Sequence, residues 1–129
     1  MTAPPLYRFG VSEFTTQPWA FEQDVENYAR LGVQAIEVCE AKLDAGCVEA
    51  QMELIVAHGL TISSVQPATR TLFPSQSQPK PAALAERLAR FRQTVETLAP
   101  WTPDVPFVTN TGIAPEGNIA AALDTAVRE

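Results

Sequence analysis

Two glycines, Gly32 and Gly59, stand about 27 residues apart, and each marks the same point in a repeated pattern. Before each lies a stretch with helical spacing, and after each comes a short strand-like run. Upstream of Gly32, Phe21, Val25, Tyr28 and Ala29 fall on one helical face, with Glu22, Gln23, Glu26 and Asn27 opposite. Upstream of Gly59, the stripe is Val48, Met52, Ile55 and Val56, with Asp44 as the expected N-cap and His58 at the helix end. A glycine just past a helix takes the left-handed conformation that closes it. The run "VQAIEV", from Val33, is almost continuously apolar, as strands buried on both faces are, and so favours a parallel sheet. "LTISSV", from Leu60 to Val65, is the corresponding run after Gly59. Helix, glycine, strand and polar loop at this period make a βα repeat.

The pattern extends both ways. "RFGV", from Arg8 to Val11, begins a short strand, and the turn-rich "SEFTTQPW" follows it. In a third helix Leu84, Leu88, Phe91, Val95 and Leu98 share a face, while Glu86, Arg87, Arg90, Gln93 and Glu96 lie opposite. Pro100 and Pro103 close that helix. "VPFVTN", from Val105, reads as a fourth strand and "TGIAPEG" as the loop after it. Asn118 caps a last helix whose buried face would be Ile119, Ala122, Leu123, Ala126 and Val127. The order is βαβαβαβα. Strands joined by crossover helices run parallel, which predicts a four-stranded sheet in the order 1-2-3-4. In such folds the loops after the strands carry the sites. The long, proline-rich stretch after Val65 therefore belongs to the functional face.

The chain has 129 residues, enough for one domain spanning 1–129, and its 46% hydrophobic and 19% charged residues are a globular balance. With a net charge of −6 and no basic stripe, a nucleic-acid partner is not expected. No apolar run is long enough to cross a bilayer, and the N-terminus lacks the basic-then-apolar order of a secretory leader. The expected setting is the cytoplasm. Cys39 and Cys47 do not have zinc-ribbon or CxxC spacing and are expected to be buried or half-buried thiols. No strand is followed by GxGxxG, and GxxxxGK[ST] does not occur.

Three stretches carry a resemblance. "FGVSEFTTQPWAFEQDVENYARLGVQAIEV" is similar to the first strand, Trp-containing loop, first helix and second strand of the sugar phosphate isomerase/epimerase family, the xylose isomerase-like TIM barrels. "AHGLTISSVQP" resembles that family's approach to its third strand, and "FVTNTG" its fourth strand. The resemblance implies an α/β fold of four βα units, the N-terminal half of a (β/α)8 barrel, since a full barrel needs roughly 250 residues. It implies a sugar or sugar phosphate as small-molecule partner. The family's reaction is metal-assisted proton transfer next to a carbonyl. Members hold a divalent ion such as Mn, Mg, Zn or Co with Glu, Asp and His ligands, most of them after later strands. No metal ligand transfers to this sequence, whose one histidine, His58, lies on the second helix. The chain alone is therefore expected to hold no cofactor and to be inactive. The alternative is a non-catalytic half-barrel that forms a homodimer or pairs with another chain through open sheet edges.

Four residues at strand ends are candidates for contacting a sugar: Glu13, Glu37, Gln66 and Asn110. Alternation puts Glu37 and Cys39 on one face of the second strand and Val38 and Glu40 on the other. A carboxylate at a strand end suits a hydroxyl-bearing ligand, or a general base if burial raises its pKa. Glu13 follows the first strand, in a turn expected to expose it. Gln66 and Asn110 end the third and fourth strands, where an amide both donates and accepts. Arg70 reads as a surface arginine and Trp19 as an apolar wall. A half-barrel would leave Ile36, Val38, Ile62 and Val108 facing water.

Overall fold

The structure, a computed structural model, describes residues 7–114 and 117–128. The leader reading at the N-terminus falls largely on residues outside this set, as do Pro115 and Glu116 of the loop that was expected after the fourth strand. The chain is a mixed α/β protein that divides into two compact units. The first comprises the described residues through Val65 together with Asp104–Pro106. The second comprises Gln66–Pro103 and the chain from Phe107 onward.

The first unit holds strand β1 (Gly10–Ser12), a 3-10 turn (Glu13–Thr16), helix α1 (Phe21–Arg30), strand β2 (Ala35–Cys39), helix α2 (Val48–Ala57) and most of strand β3 (Thr61–Gln66). The strands form one parallel sheet in the order β1-β2-β3. Gly10 pairs with Ala35, Val11 with Ile36 and Ser12 with Glu37. α1 begins where its apolar period begins. The Ala20 N–H donates to Gln23 Oε1 at 2.9 Å, half of a capping box. Gly32 and Gly59 end α1 and α2 with φ of 78° and 72°, the left-handed conformation a glycine adopts without strain.

Phe21, Val25 and Tyr28 of α1, Ile36 and Val38 of β2, and Met52 and Ile55 of α2 are all buried. Burying each such side chain contributes about 1.5–3 kcal/mol. Ile36 and Val38, expected to face water, are wholly buried, whereas Ile62 is half-buried and Val108 exposed. The face of α2 is rotated from its expected stripe: Val56 is exposed, and Gln51 is buried in its place. There Gln51 Oε1 accepts from the Asp44 N–H and Nε2 donates to Glu22 Oε1. Asp44 does not cap α2. Its Oδ1 accepts from the Gly46 N–H at 3.0 Å, an Asx turn, and Cys47 occupies the N-cap position. Cys47 is exposed, contrary to expectation, while Cys39 is buried.

The fourth strand does not form. The Val65 N–H donates to the Pro106 carbonyl at 2.9 Å, and an isolated parallel bridge joins Thr71 to Asn110. The segment carries its own obstacle. Pro103 and Pro106 have no N–H to give a ladder, and Asp104 sits at φ 59°.

The second unit holds helix α3 (Leu84–Leu98), a 3-10 turn (Ala99–Trp101) and helix α4 (Ile119–Arg128). α3 has the expected bounds but turns a different face inward. Arg87, Thr94 and Leu98 are buried, and Val95 is exposed. α4 has the expected cap, with the Ala121 N–H on Asn118 Oδ1 at 3.1 Å, yet none of its residues is buried. Among the described residues no helix is long and apolar enough to cross a membrane.

Candidate functional site

Each of the three parallel strands contributes one polar side chain to a rung across the sheet. Ser12 of β1 lies beside Glu37 of β2 in register, and Ser64 of β3 flanks Glu37 on the other side. Ser12 Oγ donates to Glu37 Oε1 at 2.6 Å, and Ser64 Oγ donates to Glu37 Oε2 at 2.6 Å. Hydroxyl-to-carboxylate bonds this short are the strong, charge-assisted kind. All three side chains are half-buried, so the rung is open on one side. Strand alternation puts Ile36 and Val38 on the opposite face of β2 and Cys39 on the face of Glu37. The Cys39 Sγ lies 4.0 Å from Ser12 Oγ. Burial, with the negative charge of Glu13 second, pushes the Cys39 thiol up to about 11.

Glu13 is not exposed by its turn. It is wholly buried, and its Oε2 accepts from the Cys39 N–H at 2.8 Å. The turn closes inward because Ser12 Oγ accepts from the Phe14 N–H at 3.2 Å, which folds the chain back over the strand end. Burial pushes the Glu13 carboxyl up to about 8; the Cys39 N–H opposes this, and the negative charge of Asp24 adds to it. Asp24 of α1 is wholly buried as well. Lys42 Nζ donates to Asp24 Oδ2 at 2.5 Å and to the Thr16 carbonyl at 3.0 Å. Thr16 Oγ1 donates to Asp24 Oδ1 at 2.5 Å and, having spent its one proton there, accepts from Tyr28 OH at 2.7 Å.

Glu13 and Glu37 are thus brought together through Ser12 and Cys39. Gln66 and Asn110 belong to the second unit. Gln66 is the last residue of β3 and half-buried. Asn110 is exposed, and its backbone pairs with Arg70 and Leu72. Arg70 is half-buried rather than a surface residue; its N–H donates to Gln78 Oε1 and its carbonyl accepts from Thr109 Oγ1. Trp19 is about one-third exposed, at 37%.

Sequence reasoning missed Ser12, Ser64, Asp24, Lys42 and Arg87. For Asp24 the signal was present. It follows Phe21 by one turn and precedes Tyr28 by one turn, and both of those are core residues. Arg87 falls in line with Phe91, Thr94 and Leu98, but a cation on that line reads as solvated until its acceptors are known. The donors at hand do not suit a divalent ion. Both oxygens of Glu37 are bound by serines, and those of Asp24 by Thr16 and Lys42. Among the described residues no three His, Cys, Asp or Glu side chains gather to hold a metal. These features define a mixed α/β protein with a polar rung on a parallel sheet. No protein-family model matches the chain, and no curated protein matches it.

Proposed function

We propose that the chain is an α/β domain of the sugar phosphate isomerase/epimerase type, and that its Ser12–Glu37–Ser64 rung binds the hydroxyls of a small sugar or sugar phosphate. The observation that supports this reading is the fixing of both Glu37 oxygens by hydroxyls from two neighbouring strands. A carboxylate held in one orientation accepts from ligand hydroxyls without losing side-chain entropy on binding. The flanking serine oxygens keep lone pairs for a second ligand hydroxyl. On this reading Glu37 is also the group placed to accept a proton from carbon next to a carbonyl. The described residues offer no site for a divalent ion, so the reading covers binding and proton acceptance, not turnover by this chain alone. A cytoplasmic setting suits it, since Cys39 and Cys47 are both free thiols.

The test is calorimetric titration of the chain with pentoses, hexoses and their phosphates, repeated on Glu37→Gln. Saturable binding that weakens at least tenfold in the variant, with the circular dichroism spectrum unchanged, supports the reading. Equal binding by both proteins, or none by the native chain at millimolar ligand, overturns it.

A second reading, that the chain pairs with a second copy or another chain, is supported by two observations. β1 has a partner strand on one side only among the described residues. α4 leaves its apolar stripe open, with Val127 85% exposed. Unpaired edges and open apolar faces both favour association. Sedimentation velocity at micromolar concentration decides: a sharp monomer boundary rejects this reading.

A further inference from the structure

The buried cluster between β1, α1 and the turn after β2 has an imbalance of charge. Two carboxyl groups, Glu13 and Asp24, are wholly buried there. Among the described residues one cation, Lys42, reaches them, and it binds Asp24. Were both acids ionised, one negative charge would lie buried without a counter-ion, a situation that costs several kcal/mol. The hydrogen bonds show where the imbalance falls. Asp24 has a donor on each oxygen, from Thr16 and Lys42. Glu13 has a donor on Oε2 alone, and its Oε1 is buried without one. The negative charge of Asp24 further disfavours an ionised Glu13.

We propose that Glu13 is a neutral carboxylic acid in the folded chain, and that its protonated state holds Ser12, the residue before it, in place against Glu37. The linkage runs through named atoms. Glu13 Oε2 accepts from the N–H of Cys39, which stands two residues after Glu37 on β2, and the Cys39 Sγ lies 4.0 Å from Ser12 Oγ. Ser12 is the residue before Glu13 in the chain, and its hydroxyl bonds Glu37. Glu13 and Asp24 are positioning residues on this account; neither touches the open side of the sheet. The titratable groups around Glu13 are Asp24 and Tyr28 of α1, Cys39 of β2 and Lys42 of the following turn. Burial raises both Tyr28 and Cys39 above their ordinary values, so both stay neutral while Glu13 titrates. The inference goes beyond the proposed function and stands whatever the rung binds.

The sign of the pH dependence follows. Glu13 holds its proton more tightly in the folded chain, up to about 8, than the value of 4.5 usual for this side chain. Its contribution to stability is therefore fully present below 4.5, falls as pH rises from 4.5 towards 8, and is gone above 8. Glu13→Gln is the matched neutral variant, since it carries no charge at any pH and its amide oxygen can accept from the Cys39 N–H. Three measurements test the proposal. The infrared spectrum of the native chain should show a protonated carboxyl at neutral pH that disappears near pH 8. That band should be missing from Glu13→Gln. The melting temperature of the native chain should fall, relative to Glu13→Gln, across the same pH window and then level off. The Glu37 carboxyl carbon resonance should shift near pH 8 in the native chain and not in the variant. Absence of a protonated carboxyl band at neutral pH overturns the proposal, and does so even if Glu13→Gln fails to fold. A Glu37 resonance unmoved through the Glu13 titration overturns the link to the rung.

Discussion

Arg87 Nε donates to the Thr71 carbonyl oxygen at 2.8 Å, and Nη2 of the same guanidinium donates to the Thr71 hydroxyl at 2.6 Å. The Arg87 side chain is wholly buried, and its remaining donors reach the carbonyls of Pro81 and Gln78 and the Gln78 amide oxygen. Gln78 in turn donates to the Ala68 carbonyl. A long stretch without regular structure is thereby tied to one side chain on α3. Arg87→Met should cost roughly 2–4 kcal/mol in urea denaturation, because it leaves buried carbonyls without donors. Arg87→Lys should recover only part of that, since an ammonium cannot reach the same fan of acceptors. A loss under about 0.5 kcal/mol for Arg87→Met would show the staple to be unimportant.

Lys42 and Asp24 give a second expectation. Lys42→Met leaves the Asp24 carboxylate buried without its cation and should cost about 3–5 kcal/mol. The double variant Lys42→Met, Asp24→Asn removes both charges and should be more stable than Lys42→Met alone. Chemical denaturation of the four proteins in this cycle gives the coupling directly.

Two glycines with similar backbone angles should respond differently to alanine. Gly59 has φ 72° and open space where a Cβ would stand, so Gly59→Ala carries only the left-handed strain, about 1–2 kcal/mol. Gly112 has φ 75°, and there a Cβ would run into the Phe73 carbonyl oxygen. Gly112→Ala should cost more than Gly59→Ala, and amide spectra should place the disturbance near Phe73. Equal losses would count against the close approach.

The thiols should be distinguishable by alkylation. Cys47 is exposed, whereas Cys39 is buried and pushed up to about 11. Thiolate is the reactive form, so the native chain at neutral pH should take one label, on Cys47, and the denatured chain two. Rapid labelling of Cys39 in the native chain would contradict its placement on β2.

The class of fold was legible in the residues themselves. Helix period, strand-like apolar runs and a glycine at each helix end are local features, set by backbone sterics within a turn or two. They marked α1, α3, β2 and β3 closely, and they marked Glu37 as a carboxylate on the sheet. The α3 boundaries were legible for the same reason, through the proline that follows Leu98. The failed fourth strand was legible in part. Pro106 removes a ladder donor wherever it stands, but whether the remaining residues pair depends on a neighbouring strand that local sequence does not describe.

What tertiary structure alone decided is which polar side chains turn inward. Asp24 meets Lys42 across 18 residues, and Arg87 meets Thr71 across 16. An ionisable group is solvated or buried according to whether such partners arrive, because water must be replaced bond for bond before the interior will accept a charge. No window of sequence contains both halves of that exchange. The same reasoning covers Glu13, read from its turn as exposed and found wholly buried. Its neighbours Cys39 and Asp24 come from a different strand and a helix, and only their convergence makes burial of its carboxyl affordable, as an acid that keeps its proton.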